Sequence, residues 1–104
     1  MKQTLGILVR SDEYMEYVIK LAAAAHDKGK EVHILFTGSG ARLALDDTFH
    51  HLSGIARLAI CDASFRLLGL NGREQEVPGV SRRDFVSEDY SARMIRQLDR
   101  TIVM

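Results

Sequence analysis

Val32-His33-Ile34-Leu35-Phe36-Thr37-Gly38-Ser39-Gly40 decides the fold. Its first half is a run of branched aliphatic and aromatic side chains with little polar alternation, the pattern of a strand covered on both faces in a parallel sheet. The turn Thr37-Gly38-Ser39-Gly40 then leads into a helical stretch from Ala41 to Leu45 and onward past Asp47. A buried strand that passes at once through a turn into a helix is the repeating unit of an α/β domain.

Upstream, Leu5-Gly6-Ile7-Leu8-Val9 is another such run, ending near Arg10. Ser11 is placed to cap the next helix, with Asp12 and Glu13 in a first turn where carboxylates favour the helix dipole. Tyr14, Tyr17, Val18, Leu21, Ala22 and Ala25 give that helix its apolar stripe, and Gly29 stops it. Downstream, Arg57-Leu58-Ala59-Ile60 is a third strand ending at Cys61, and Asp62 to Leu68 form a helix closed by Gly69. Asn71 to Glu76 read as a solvated loop, and Pro78-Gly79 as a type II turn. Ser87 is placed to cap a last helix with Ala92, Ile95 and Leu98 on its apolar side, and Thr101 to Met104 close the chain as a strand. This order predicts a single three-layer α/β/α domain over residues 1–104. Its sheet is mostly parallel, of four or five strands joined by right-handed crossovers.

The chain's 104 residues match one domain, and 46% hydrophobic with 27% charged residues is the balance of a soluble globular protein. Fourteen Lys and Arg offset fourteen Asp and Glu, so no global charge draws the chain to nucleic acid or to anionic lipid. Neutrality also weakens repulsion between copies, which makes a homo-oligomer easier to form. The single cysteine excludes an internal disulfide, a Cys-x-x-Cys redox pair and a multi-thiolate zinc site. The first residues hold no long apolar segment and no stretch reaches membrane-spanning length, so a cytoplasmic protein without a membrane partner is expected.

Ligands of open parallel α/β sheets bind outside the carboxyl ends of the strands. That rule selects Arg10-Ser11-Asp12, Gly38-Ser39-Gly40 and Cys61-Asp62. Cys61 has the most chemistry to offer, because a thiol beside a helix N-terminus feels partial positive charge that favours the thiolate. Arg10 and Arg66 are further helpers, whereas the Asp62 carboxylate opposes the thiolate unless it turns away. The plain alternative is that Cys61 is a small buried hydrophobe at a strand end. The backbone N–H groups of Gly38, Ser39 and Gly40 suit a small anion, although two glycines making a tight turn explain the same residues. Leu43 stands where a dinucleotide motif needs its third glycine.

Asp46 and His50, and Asp47 and His51, are i, i+4 pairs suggestive of metal ligands, but adjacent histidines on a helix diverge by about 100°, so no metal is expected. His33 in a strand and His26 at a helix end are assigned no role, and Arg82 and Arg83 are read as a solvated loop pair. Gly-x-Ser-x-Gly, Walker A and His-Glu-x-x-His motifs are absent, and no cofactor is implied.

On Leu5-Gly6-Ile7-Leu8-Val9, Val32 to Gly40, and Cys61 followed eight and nine positions later by Gly69-Leu70, the chain resembles the DsrE/DsrF-like family over nearly its whole length. The resemblance implies that Cys61 carries a persulfide and relays sulfur, in a trimer or hexamer; the expected donors and acceptors are partner proteins or small sulfur compounds. The family's relay members commonly have Arg just before the glycine, where this chain has Leu68, with Arg66 two residues earlier. The expected function is therefore a sulfur carrier or sulfurtransferase. The alternative is a non-catalytic oligomeric module that binds a small anion or partner with the same fold, and a metal-dependent enzyme on Asp46, Asp47, His50 and His51 ranks third.

Overall fold

The computed structural model describes residues 2–104, and in it the apolar runs become the strands of one parallel sheet. These are β1 (Thr4–Val9), β2 (Glu31–Phe36), β3 (Arg57–Cys61), β4 (Phe85–Val86) and β5 (Arg100–Val103), in the order β4-β3-β2-β1-β5. Every pairing is parallel, with Ile7 opposite Ile34 and Ile102, and Phe36 opposite Ile60. Alternation along the strands sorts the side chains. Ile7, Val9, Ile34, Phe36 and Ile60 join one core with the first helix, whereas Leu8, Leu35 and Ala59 join Met94 on the opposite face.

Topology explains the two faces. The chain steps from β1 to β4 in one direction and then returns past β1 to β5. A right-handed crossover made in the reverse direction lands on the other face. Helix α1 (Met15–Asp27) therefore covers one face together with 3₁₀ segments Gly38–Leu45 and Phe49–Leu52 and helix α2 (Asp62–Leu67). Helix α3 (Tyr90–Gln97) covers the other, and the domain has the expected three layers. Gly6 makes room for it: a Cβ there would stand 2.7 Å from Leu98 Cδ1 and 2.9 Å from Met94 Cε. No helix among the described residues is long and apolar enough to cross a membrane.

Local details depart from expectation where short polar side chains compete with the helix. Helix α1 starts at Met15 rather than after Ser11, and its buried stripe is Met15, Val18, Ala22 and Ala25. Ser11 makes a turn instead, its Oγ accepting from Glu13 N at 3.2 Å. Tyr14 and Tyr17 lie outside the stripe and tilt against each other with ring centroids 6.4 Å apart. The helix expected past Asp47 breaks at Asp46, whose backbone is extended. Its carboxylate accepts from Thr48 N at 2.9 Å and Thr48 Oγ1 at 2.6 Å, closing an Asx turn. Helix α3 likewise starts after Asp89, to which Ser87 gives its hydroxyl, and buries Met94 while Ile95 stays exposed.

Candidate functional site: a cleft over Cys61

Three strands deliver their last residues to one cleft of about 360 Å³ at the carboxyl edge, on the α3 face of the sheet. Leu8 and Arg10 come from the end of β1, Leu35 and Thr37 from the end of β2, and Cys61 from the end of β3. Cys61 belongs here by strand parity, two residues beyond Ala59 and paired with Val86 of β4. It lines the cleft while being only 4% exposed. Ser64 from α2, Ser87 and Glu88 from the approach to α3 and Ser91 from its first turn complete the wall.

The lining is rich in hydroxyls. Ser64 Oγ accepts from Gly38 N at 2.8 Å and lies 3.4 Å from Thr37 Oγ1. Because Ser64 accepts the amide proton, its own proton and that of Thr37 remain, and their mutual contact uses one at most. At least one O–H is left for a ligand. Ser91 Oγ donates to Glu88 O at 3.2 Å. Ser87 donates to the Asp89 carboxylate, and this hydrogen bond holds that carboxyl below the usual carboxylate range. Arg10 is held at its backbone by Met104 O, at 2.7 Å, and its exposed side chain makes no ion pair among the described residues.

Other residues singled out in the sequence lie elsewhere. Asp62 pairs with Arg66 at 3.1 Å, and both line a separate cleft with Arg82 and Phe85, so neither faces the cleft over Cys61. The Gly38 and Gly40 amides are used internally, by Ser64 Oγ and by Thr37 O at 3.0 Å, and do not form an open anion nest. Gly40 has a packing reason: a Cβ there would sit 2.2 Å from Val9 O. Ser11 and Ser39 are not part of the cleft wall.

With the helix broken at Asp46, the expected i, i+4 pairs dissolve. His50 Nδ1 contacts Asp47 O at 2.9 Å, and the His50 and His51 rings stand 4.1 Å apart. No group of three or more His, Cys, Asp or Glu among the described residues is arranged to hold a metal. His33 pairs with Glu31 at 2.8 Å, which holds the Glu31 carboxyl low.

Sequence reading missed Thr37, Ser64, Ser87, Glu88 and Ser91 as cleft residues. Ser64 carried a local signal, three positions after Cys61 and so on the same side of a helical turn. The residues preceding and opening α3 arrive through the β3–β4 pairing, which no local pattern announces.

Comparison with protein-family models, with curated proteins and with solved structures finds no match in any of the three.

Proposed function

We propose that the chain is a sulfur carrier that holds sulfane sulfur as a persulfide on Cys61, as its resemblance to the DsrE/DsrF-like family implies. The observation that carries this reading is the position of Cys61, the chain's one thiol, in the wall of the cleft where three strand ends converge. In the forward step the thiolate attacks a donor's sulfane sulfur, forming Cys61–S–S⁻ and releasing the donor's remainder with the bonding electron pair. An acceptor thiolate then takes the outer sulfur and regenerates Cys61. An added sulfur stands about 2 Å beyond the first, so it projects further into the cleft than the thiol does. No metal or organic cofactor is needed. A free thiol as reaction centre suits the reducing cytoplasm, and a homo-oligomer belongs to the same proposal.

The 4% exposure of Cys61 favours a second reading, a non-catalytic module whose cleft holds a small anion. Intact-protein mass spectrometry separates the two. Wild type and Cys61→Ser are incubated with a hydropersulfide, with and without reductant. A reducible gain of one sulfur confined to wild type supports the carrier. No gain under conditions that modify a control thiol supports the binding module.

A further inference from the structure

We infer that the donor taken by this cleft is a small sulfur oxyanion bearing a sulfane sulfur, of the thiosulfate class, rather than a persulfide on another protein's surface. This rests on the carrier reading above. Two observations lead to it. Cys61 is 4% exposed in the lining of a roughly 360 Å³ cleft, so a donor sulfur must enter the cleft to meet it. A small ion does so freely, whereas a cysteine held on a folded partner has to bring its backbone to the rim. The second observation is the kind of group around the thiol.

Thr37, Ser64, Ser87 and Ser91 line the cleft with hydroxyls, and Arg10 adds a guanidinium with no carboxylate partner among the described residues. The proton left free between Thr37 and Ser64 and the Arg10 guanidinium donate to oxygen, the guanidinium fork matching two oxygens of one oxyanion, whereas Ser87 and Ser91 already give their protons to Asp89 and to Glu88 O. Leu8 and Leu35, which line the cleft with Cys61, suit a soft, weakly hydrated sulfur instead. One ligand satisfies both halves: oxygens toward Arg10, Thr37 and Ser64, sulfane sulfur toward Cys61. Glu88 also lines the cleft, and its carboxylate opposes a dianion, which sets a limit on affinity and eases departure of the product.

The step balances without an added oxidant. The Cys61 thiolate attacks the sulfane sulfur of ⁻S–SO₃⁻; the new Cys61 S–S bond forms as the thiosulfate S–S bond breaks. The bonding pair leaves with sulfur as sulfite, SO₃²⁻, and the terminal sulfur remains as Cys61–S–S⁻. Sulfite keeps the oxygens that Arg10 held, so the same donors that bind the substrate stabilise the leaving group.

The test uses the full chain and separates binding from transfer. Thiosulfate is titrated into Cys61→Ser, which cannot react, and amide NMR shifts follow the Thr37, Ser64 and Ser91 signals. Wild type is mixed with thiosulfate or with a hydropersulfide, and sulfite release and sulfur on Cys61 are measured. The expected result is saturable thiosulfate binding at those amides, weakened about tenfold by Arg10→Gln in the Cys61→Ser background, with one sulfite per sulfur gained by wild type. Sulfur gained from the hydropersulfide, with neither binding nor sulfite from thiosulfate, overturns the oxyanion donor and leaves the carrier standing. Thiosulfate binding with no sulfur gained from either donor overturns the carrier itself and, with it, the transfer step.

Discussion

Ser64 Oγ and Gly38 N are joined by a 2.8 Å hydrogen bond that ties the first turn of α2 to the turn after β2. Two carboxyl-edge loops separated by 26 residues are thereby locked beside Cys61. The bond also orients the Ser64 proton away from the amide, toward Thr37 or the cleft.

Ser64→Ala removes this tie. Gly38 is exposed, so water replaces the lost acceptor and the loss of stability is modest, about 1 kcal/mol. Thermal unfolding followed by circular dichroism should show a fall in Tm of roughly 4–8 °C, as expected for a domain of this size. An unchanged Tm would show that the tie contributes nothing to stability.

Glu88→Gln and Arg10→Gln should move anion binding in opposite directions, because one deletes a like charge from the cleft wall and the other an unlike one. In the unreactive Cys61→Ser background, Glu88→Gln is expected to tighten thiosulfate binding roughly two- to fivefold. The gain should shrink when the NMR titration is repeated at high salt. Equal affinities at both salt concentrations would mean that the Glu88 carboxylate does not face the ligand.

Thr101→Val should stabilise the fold. Thr101 Oγ1 is buried without a hydrogen-bond partner among the described residues, and Thr101 stands opposite Gly6 in the sheet. Valine keeps the shape and removes the unsatisfied hydroxyl, a gain of about 1 kcal/mol that urea denaturation resolves as a higher midpoint with unchanged slope. A lower midpoint would point to a partner for this hydroxyl.

Gly40→Ala is expected to be severe, because the added methyl would stand 2.2 Å from Val9 O, a backbone atom that cannot swing aside. Either β1 or the 3₁₀ segment at Gly38–Leu45 must shift, at more than about 2 kcal/mol. The same shift displaces Thr37, so the variant should lose both urea stability and thiosulfate binding. A variant with wild-type stability would refute the close approach.

Acid should loosen the seam between the chain's two ends. Asp99 accepts from Thr4 N at 2.8 Å and from Thr4 Oγ1, and these bonds, the backbone one first, hold its carboxyl below the ordinary value. A carboxyl depressed in the folded state adds stability above its unfolded value, near pH 4, and that stability is lost as pH falls through the lower folded value. Asp99→Asn should therefore flatten the acid limb of stability against pH below about 4 and leave the shape near neutrality unchanged. Equal acid limbs in the two proteins would contradict the assignment.

The parts legible in the sequence were those written in local patterns. Leu5 to Val9, Val32 to Phe36 and Arg57 to Cys61 are strands because continuous apolar runs bury both faces of a parallel sheet, and Cys61 had to fall at a carboxyl end. What local pattern misjudged were helix starts and kinds. Ser11, Asp46 and Ser87 each carry a short polar side chain that hydrogen-bonds two residues onward, and each begins a turn where a helix cap or interior was expected.

By itself the sequence determined the α/β class, the parallel strands and one thiol at the sheet's carboxyl edge, because burial and periodicity are properties of neighbouring residues. Only the tertiary structure decided what surrounds that thiol. The return of the chain from β4 past β1 to β5 puts α3 on the Cys61 face and brings Ser87, Glu88 and Ser91 to the cleft. Asp62, next to Cys61 along the chain, pairs with Arg66, and the two line a different cleft. The reason is geometric: consecutive residues at a strand's end point to opposite sides, so apart from Ser64 the companions of Cys61 are chosen by strand parity and crossover handedness rather than by sequence proximity.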